Sequence, residues 1–215
     1  MKREILEKIR GQGYFLPTDK SYFFTMLKAE FLIHILNKTP IWNIPMRNIL
    51  IKWLIGKIDG NPLAIQNSFR VSCGKNISIG KNFYANYNCC ILDRTDVEIG
   101  NDVYLGPNVV ITTTGHPINA MQRKMFYYTD SFEAQKRGCI EKVAPIKIGN
   151  NVWICSGCIV CAGVSIGDNV VIGAGSVVTN DIPPNVLAYG APCKVVRKLS
   201  ENDYEKLPDE IANIF

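Results

Sequence analysis

The chain has 215 residues, of which 47% are hydrophobic and 20% are charged, so it can bury a sizeable core. Its formal net charge of +5 lies entirely in residues 1–60, which hold 10 Lys and Arg against 5 Asp and Glu, while the other residues hold 14 of each. Nucleic-acid binding needs a dense basic face, so this modest excess argues against it.

The first 60 residues are predicted to form a separate helical segment. Helices are expected over residues 2–12, 20–37 and 44–58, with Pro17, Pro40 and Pro45 as helix-breaking positions. Apolar residues recur near helical spacing in the second helix, so the segment is expected to cover an end or flank of the rest of the fold.

Contact between this segment and a membrane surface is the alternative interpretation. Residues 44–58 combine Arg47, Lys52 and Lys57 with Trp53 and contain no acidic side chain before Asp59. No uncharged stretch approaches the ~18 apolar residues of a membrane span, and the chain does not begin with a basic and then apolar signal. The sequence therefore predicts a cytoplasmic protein.

A six-residue repeat over residues 148–182 is the strongest signal in the chain. Its period fits neither a helix nor a single strand, but it is typical of a parallel β-helix, in which one aliphatic side chain per unit points inward. The same period occurs earlier, with two extra residues after Ile91. The aliphatic or small lead positions are Ile79, Ala85, Ile91, Ile99, Leu105, Ile111, Ile148, Ile154, Val160, Ile166, Ile172 and Val178.

The β-helix domain is predicted to span residues 61–198, followed by a C-terminal helix over residues 199–215. The repeat is interrupted at residues 116–145, which are expected to form a long loop. A break of this length in a regular solenoid is either a tolerated insertion or a functional loop, and long loops favour the second.

Eight cysteines raise the possibility of a metal or disulfide site, and Cys155, Cys158 and Cys161 have the spacing of iron–sulfur ligands. The repeat phase argues against a metal, because successive units lie on different sides of a three-sided coil. We expect these cysteines to be small, reduced core residues and predict no metal site.

His116 is the candidate catalytic residue. It follows directly where the repeat ends and the long loop begins, so a stiff scaffold would hold it while leaving it reachable. An imidazole can accept a proton near neutral pH. The only other histidine, His34, lies in the apolar helical segment, where a packed histidine is the ordinary case.

The chain resembles the hexapeptide-repeat acyltransferases, and most closely the branch of maltose, galactoside and nodulation-factor O-acetyltransferases. The resemblance covers about residues 70–198. It is carried by residues 84–88, 106–109, 114–117, 144–146, 148–154, 172–178, 181–186 and 190–197.

The resemblance implies a left-handed parallel β-helix that assembles as a homotrimer, with active sites between neighbouring subunits. It implies that His116 is the general base, which deprotonates a sugar or glycan hydroxyl for direct attack on acetyl-CoA without an acyl-enzyme or a metal. Acceptor-binding positions match Asn86 and Asp93. Positions that bind acetyl-CoA match Trp153, Ser156 (through its backbone N–H), Ala174, Thr179, Asn180, Lys194 and Arg197.

Some positions depart from the family pattern. Asn180 stands where Lys is usual, Lys194 replaces a frequent Arg, and Cys155 replaces a usual Gly beside the donor tunnel. The interruption at 116–145 is longer than expected for sugar O-acetyltransferases and is rich in aromatic and basic residues. These aromatic residues suit either stacking on the sugar rings of a larger acceptor, such as a polysaccharide repeat unit, or packing against the next subunit.

Two other functions are compatible with the fold. One is N-acetylation of an amino sugar or an antibiotic, and the other is a non-catalytic β-helix platform protein. A zinc carbonic anhydrase would need three ligating histidines, and the repeats offer only His116.

Overall fold

A computed structural model describes residues 12–15, 20–60, 64–124, 126–128, 136–203 and 208. Helix α1 spans Lys20–Lys38 and helix α2 spans Ile44–Leu54. The predicted helix over residues 2–12 lies outside the described residues. The prediction of a helix over residues 44–58 is wrong at its end, because α2 stops at Leu54 and residues 57–58 form a strand. Gly56 lies at this turn in close contact with the backbone, since a Cβ there would lie 2.0 Å from the Lys75 carbonyl oxygen.

The described residues form short strands along almost all of the remaining chain. In chain order they are β1 Tyr14–Phe15, β2 Lys57–Ile58, β3 Ala64–Ile65, β4 Arg70–Val71, β5 Ile77–Ile79, β6 Tyr84–Ala85, β7 Cys90–Leu92, β8 Val97–Ile99, β9 Tyr104–Leu105, β10 Val110–Thr112, β11 Thr114–Gly115, β12 Phe126–Tyr128, β13 Lys136–Gly138, β14 Glu141–Val143, β15 Ile146–Ile148, β16 Trp153–Ile154, β17 Ile159–Val160, β18 Ser165–Ile166, β19 Val171–Ile172, β20 Val177–Val178, β21 Val186–Tyr189 and β22 Lys194–Lys198.

Three sheets form the sides of a parallel β-helix, which confirms the predicted fold. Sheet 1 contains β2, β5, β8, β15 and β18; sheet 2 contains β3, β6, β9, β16, β19, β21 and β22; sheet 3 contains β4, β7, β10, β17 and β20. Each coil passes through sheets 1, 2 and 3 in turn, and we name the turns between them corners 1–2, 2–3 and 3–1. The six lead positions from Ile148 to Val178 are at most 2% exposed, as the repeat predicts.

Corner 1–2 shows how the sequence turns the coil. Asn151, Asn169 and Asn185 have φ of 54°, 55° and 60°, a left-handed conformation that Asn adopts more readily than most residues. Their side chains form a ladder, in which Asn151 Nδ2 donates to Asn169 Oδ1 at 3.1 Å and Asn169 Nδ2 donates to Asn185 Oδ1 at 2.9 Å. Each coil therefore stacks on the next through side-chain amides as well as backbone bonds.

The interruption of the repeat lies at corner 3–1, between β10 and β15, and its described residues include three strands where the sequence predicted a loop. Strand β14 pairs antiparallel with β11 on one side and with β1 on the other, and β12 pairs antiparallel with β13. These strands were not predicted because their pairing is antiparallel, and for β14 also long-range, so no six-residue period marks them.

The helices pack on the first coil through their inner faces. Leu36 of α1 and Leu50 of α2 share one core with Ile65 and Phe69. The buried Arg47 guanidinium donates to the carbonyl oxygens of Leu36 at 2.8 Å, Thr39 at 2.7 Å and Ile65 at 2.5 Å. Helices α1 and α2 therefore cover the first coil, and neither described helix is long and apolar enough to cross a membrane.

The chain end differs in part from its prediction. Residues 194–198 form β22, which pairs antiparallel with β21 as the last strand of sheet 2. Glu201–Asp203 form a short 3-10 helix. Most of the predicted C-terminal helix over residues 199–215 lies outside the described residues.

Candidate active site

His116 lies at corner 3–1, directly after β11, and its side chain is exposed. Its Nδ1 lies 3.0 Å from the carbonyl oxygen of Ile140. A carbonyl oxygen only accepts hydrogen bonds, so Nδ1 carries the proton and Nε2 keeps its lone pair. The backbone of the inserted segment thus orients the ring and leaves Nε2 as the nitrogen that can accept a proton.

A partly buried ion pair holds the strand that presents the Ile140 carbonyl group. Arg94 Nε donates to Glu141 Oε2 at 2.9 Å, and Thr114 Oγ1 donates to the same oxygen at 3.1 Å. Glu141 is buried, and it directly follows Ile140. Sequence reasoning missed Arg94 and Glu141, which are 47 positions apart, because no local pattern links them.

An open pocket of about 410 Å³ adjoins the imidazole. It is lined by His116, Ala120, Arg123, Lys124 and Cys139. Arg123 and Lys124 are exposed, so the pocket has a positive rim beside the candidate base. Its volume falls within the range of small-molecule sites.

Asp93 also lies at corner 3–1, but its carboxylate is buried and serves the backbone. It accepts hydrogen bonds from the backbone N–H groups of Ser72 at 3.0 Å, Cys73 at 2.8 Å and Asn76 at 3.3 Å. Burial raises the pKa of Asp93, and the N–H donors oppose that rise. Because Asp93 is 0% exposed, its carboxylate braces the wide corner in this structure and offers no surface to an acceptor.

Asn86, the other predicted acceptor residue, lies on the opposite edge of sheet 3, at corner 2–3. Its Oδ1 accepts a hydrogen bond from the Tyr87 N–H at 2.8 Å, and the side chain is half-buried. The structure therefore does not bring Asn86 and Asp93 together within one chain.

Ser156 lies at corner 2–3 as well, two coils above Asn86. Among the described residues, its backbone N–H has no hydrogen-bond partner, and Ser156 is exposed. A Cβ at Gly106 would lie 2.6 Å from this nitrogen, so glycine at that position leaves room for the N–H group. A free N–H on a rigid turn suits stabilisation of a developing oxyanion.

The other residues predicted to bind acetyl-CoA near corner 2–3 lie in a strand of sheet 2 or shortly after one. Trp153 is exposed on the outer face of β16, next to Tyr104 below and Val171 above. Ala174 is exposed at corner 2–3, directly above the Ser156 turn, since the Gly175 N–H donates to the Ser156 carbonyl oxygen at 2.9 Å.

The basic residues that were predicted to bind acetyl-CoA lie on β22, the last strand of sheet 2. Lys194 and Arg197 are exposed there. Arg197 Nη1 donates to Asp203 Oδ2 at 2.8 Å, and its second nitrogen also contacts that carboxylate. This contact lowers the pKa of Asp203 to about 2. Arg197 therefore already has an anionic partner, whereas Lys194 has no ion-pair partner among the residues that the structure describes.

Thr179 and Asn180 lie at corner 3–1, away from the other predicted donor residues. They follow β20, and Asn180 Nδ2 donates to Thr179 Oγ1 at 3.1 Å. The predicted site residues thus form two groups in one chain. Corner 2–3 and sheet 2 hold Asn86, Trp153, Ser156, Ala174, Lys194 and Arg197, and corner 3–1 holds Asp93, His116, Thr179 and Asn180.

The width of sheet 3 separates these two groups. About five residues cross the sheet between the corners, and at ~3.3 Å per residue the corners are about 16 Å apart. A base and an oxyanion donor must both come within about 3 Å of the reacting groups, so His116 and Ser156 of one chain cannot serve the same reaction.

The cysteines do not converge. Cys158 is buried inside the coil, while Cys155 follows β16 in sheet 2 and Cys161 follows β17 in sheet 3. None of the eight cysteines, all of which lie in the described residues, forms a disulfide bond. Among the described residues, no group of three or more His, Cys, Asp or Glu is placed to hold a metal ion.

Comparison with known proteins identifies the family. Residues 145–180 match the family model described as bacterial transferase hexapeptide (six repeats). The galactoside O-acetyltransferase of Escherichia coli (strain K12) is 38% identical over 203 residues, which are 94% of this chain and 93% of that protein.

Two solved structures are similar over nearly the whole chain. A galactoside acetyltransferase in complex with coenzyme A has a TM-score of 0.83 at 37% identity and covers 97% of each chain. A maltose O-acetyltransferase from Clostridium difficile 630 has a TM-score of 0.78 at 38% identity and covers 91% of this chain and 98% of its own. The chain therefore belongs to the hexapeptide-repeat acetyltransferases, in the branch that contains the galactoside and maltose O-acetyltransferases.

Proposed function

We propose that this protein transfers an acetyl group from acetyl-CoA to a hydroxyl group of a sugar or glycan, with His116 as the general base. The observation that carries the proposal is the hydrogen bond from His116 Nδ1 to the Ile140 carbonyl oxygen, which leaves Nε2 free beside an open pocket. The relatives support the donor and the acceptor class, since one is named for galactosides and a similar structure contains coenzyme A.

In the proposed reaction, His116 Nε2 removes the proton from the acceptor hydroxyl as the oxygen forms a bond to the thioester carbonyl carbon. The Nδ1–H bond to the Ile140 carbonyl oxygen stabilises the imidazolium. The Ser156 N–H of a second chain donates to the carbonyl oxygen as negative charge develops there. His116 then returns the proton to the sulfur as the carbon–sulfur bond breaks, which yields the acetyl ester and coenzyme A.

We further propose that the active site forms between two chains of a homotrimer. The separation of His116 from Ser156 across sheet 3 supports this, because a second chain can bring its corner 2–3 to the corner 3–1 of the first. Thr179 and Asn180 of the first chain would then lie beside the same acetyl-CoA molecule as Trp153 and Ala174 of the second chain. Asn86 of the second chain would lie beside the acceptor.

The polarity of the faces supports such packing. The outward column of sheet 3 contains Cys90, Val110, Ile159 and Val177 above Arg70. The outward column of sheet 1 instead contains Lys57, Ser78, Glu98, Lys147 and Ser165. Because the outward side of sheet 3 is apolar while that of sheet 1 is charged and polar, sheet 3 is the side favoured for burial against a neighbouring chain.

Arg123 and Lys124 refine the proposed acceptor. Two exposed cations on the rim of the His116 pocket favour an acceptor that carries a carboxylate or a phosphate close to the reacting hydroxyl. An acidic sugar unit of a glycan has this chemistry.

The test is an assay of acetyl transfer from acetyl-CoA to a panel that contains galactosides, maltose, glucosamine and glucuronosides. We expect O-acetyl products, which mild base hydrolyses, with the highest kcat/KM for the acidic sugars. An N-acetyl amide that survives mild base would contradict the proposed acceptor class. The absence of any acetylated product from every member, in a protein that binds acetyl-CoA, would contradict the proposed enzyme activity.

A further inference from the structure

Helices α1 and α2 are apolar on two opposite faces, and only one of these faces is used. The inner face of α1 buries Ala29, Leu32, Ile33 and Leu36 against the first coil. An apolar face of a helix is normally buried against another part of the protein or a partner. The outer apolar faces of these helices are exposed to solvent and are not covered by any residue that the structure describes.

The exposed apolar residues follow helical spacing. In α1, Phe23, Leu27 and Phe31 recur every four residues, and Phe31 is 65% exposed. In α2, Met46, Ile49 and Trp53 recur at three and four residues, and Trp53 is 64% exposed. Such stripes are unlike the scattered single hydrophobic residues of ordinary surfaces.

The turn between the helices extends the same surface. Trp42 is 83% exposed there, and α1 and α2 pack against each other. We define the outer helical surface as Phe23, Phe24, Leu27, Phe31, Trp42, Met46, Ile49 and Trp53. Extended apolar surfaces of this kind mark sites of protein or membrane interaction.

The charges beside this surface favour one partner. Lys28, Lys38 and Lys52 are exposed on the two helices, and Glu30 is the single acidic residue within α1 and α2. The whole net charge of the chain also lies in residues 1–60. A two-fold contact with a second copy would bring these lysines towards each other, whereas an anionic surface would neutralise them.

We propose that the outer helical surface binds the surface of an anionic lipid bilayer. Interfacial helices typically combine exposed Trp and Phe with Lys, and they lie flat on the membrane. Helices α1 and α2 have this composition, and they pack against the first coil. Neither described helix can cross a bilayer, so the contact is peripheral. This contact would hold the acetyltransferase where a lipid-carried glycan is presented, but it does not depend on the proposed reaction.

The test is flotation of the full chain with vesicles of phosphatidylcholine alone or of phosphatidylcholine and phosphatidylglycerol in equal amounts. We expect binding to the anionic vesicles that weakens with added salt. The triple variant F24S/F31S/W53S removes three exposed aromatic side chains and should weaken binding by about tenfold or more. The variant K28E/K38E/K52E should abolish the preference for phosphatidylglycerol.

The matched control is I118S/M121S, which removes equally exposed apolar side chains outside the helices and should bind vesicles like the unchanged protein. Failure of the unchanged protein to float, or equal binding by F24S/F31S/W53S, would overturn the proposal. So would a change of sedimentation coefficient in F24S/F31S/W53S without lipid, because a second copy would then cover the surface. Acetyl transfer to a water-soluble acceptor should be unaffected by this variant, so the two proposals fail independently.

Discussion

The two edges of sheet 3 are built by different means, and the difference determines which kind of chemical group each edge can present. Corner 2–3 is turned in every coil by one residue of positive φ, such as Asn88, Asn108, Gly157 or Gly175. Corner 3–1 is wider in the lower coils, where the step from lead position Ile91 to lead position Ile99 is eight residues instead of six, and it carries the insertion.

Each edge contributes the kind of group that its construction allows. The regular corner fixes a backbone N–H at Ser156, which needs no particular side chain. The irregular corner provides an ionisable side chain, His116, and a pocket whose residues lie outside the repeat. A donor shared by a whole family suits the first edge, and an acceptor that differs among members suits the second.

The largest expected effect is the difference between an alanine substitution at corner 3–1 and one at corner 2–3. His116→Ala should lower kcat by about 10²–10⁴, because the general base is lost. Ser156→Ala keeps the backbone N–H and should remain within a few-fold of the unchanged enzyme. Steady-state kinetics of both variants, with thermal unfolding as a folding control, measures the contrast; equal losses would contradict the assigned roles.

The second contrast compares two aspartates at corner 3–1. Asp93→Ala should lower the free energy of unfolding by about 3 kcal/mol, because three backbone N–H groups lose their buried acceptor. Asp181 is exposed and accepts one such bond, from the Ser165 N–H at 2.7 Å, so Asp181→Ala should cost about 1 kcal/mol or less. Denaturant unfolding measures both, and similar values would show that Asp93 does not brace the corner.

A smaller effect should follow when the strand behind His116 is loosened. Glu141→Ala removes the acceptor of Arg94 and Thr114, so the Ile140 carbonyl group should be held less firmly and kcat should fall about tenfold. The KM for acetyl-CoA should not change, and Glu141→Gln should restore most of kcat. Lys142→Ala, on the exposed side of the same strand, is the control; a higher KM with unchanged kcat in Glu141→Ala would refute a positioning role.

The insertion should influence the acceptor more than the donor. Replacing residues 125–138 with a Gly-Ser pair removes the β12–β13 pairing but keeps β11, β14 and His116. The ratio of kcat/KM values for an oligosaccharide and a monosaccharide acceptor should change several-fold, while acetyl-CoA affinity stays the same. An unchanged ratio would mean that the hairpin only packs, and the proposal of a large glycan acceptor would lose its main support.

Sequence alone predicted the regular parts of the molecule because their signals are local. The six-residue period identifies the inward positions from Ile148 to Val178, and Asn or Gly marks the turns. The brace at Asp93, the Arg94–Glu141 ion pair and the pairing of Tyr14 with Lys142 depend on residues far apart in the chain. The position of His116 was predicted, but the carbonyl group that fixes its tautomer was not.

The central claim is that the base and the oxyanion donor of one active site come from different chains. The most direct test mixes two variants, His116→Ala and Ala174→Glu. The acidic side chain that Ala174→Glu places at corner 2–3 should prevent acetyl-CoA from binding there. Each variant alone should be nearly inactive. Mixed oligomers formed from equal amounts by refolding or co-expression should regain about a quarter of the unchanged activity, because intact corners from two chains meet at random. No recovery of activity in verified mixed oligomers would contradict the account.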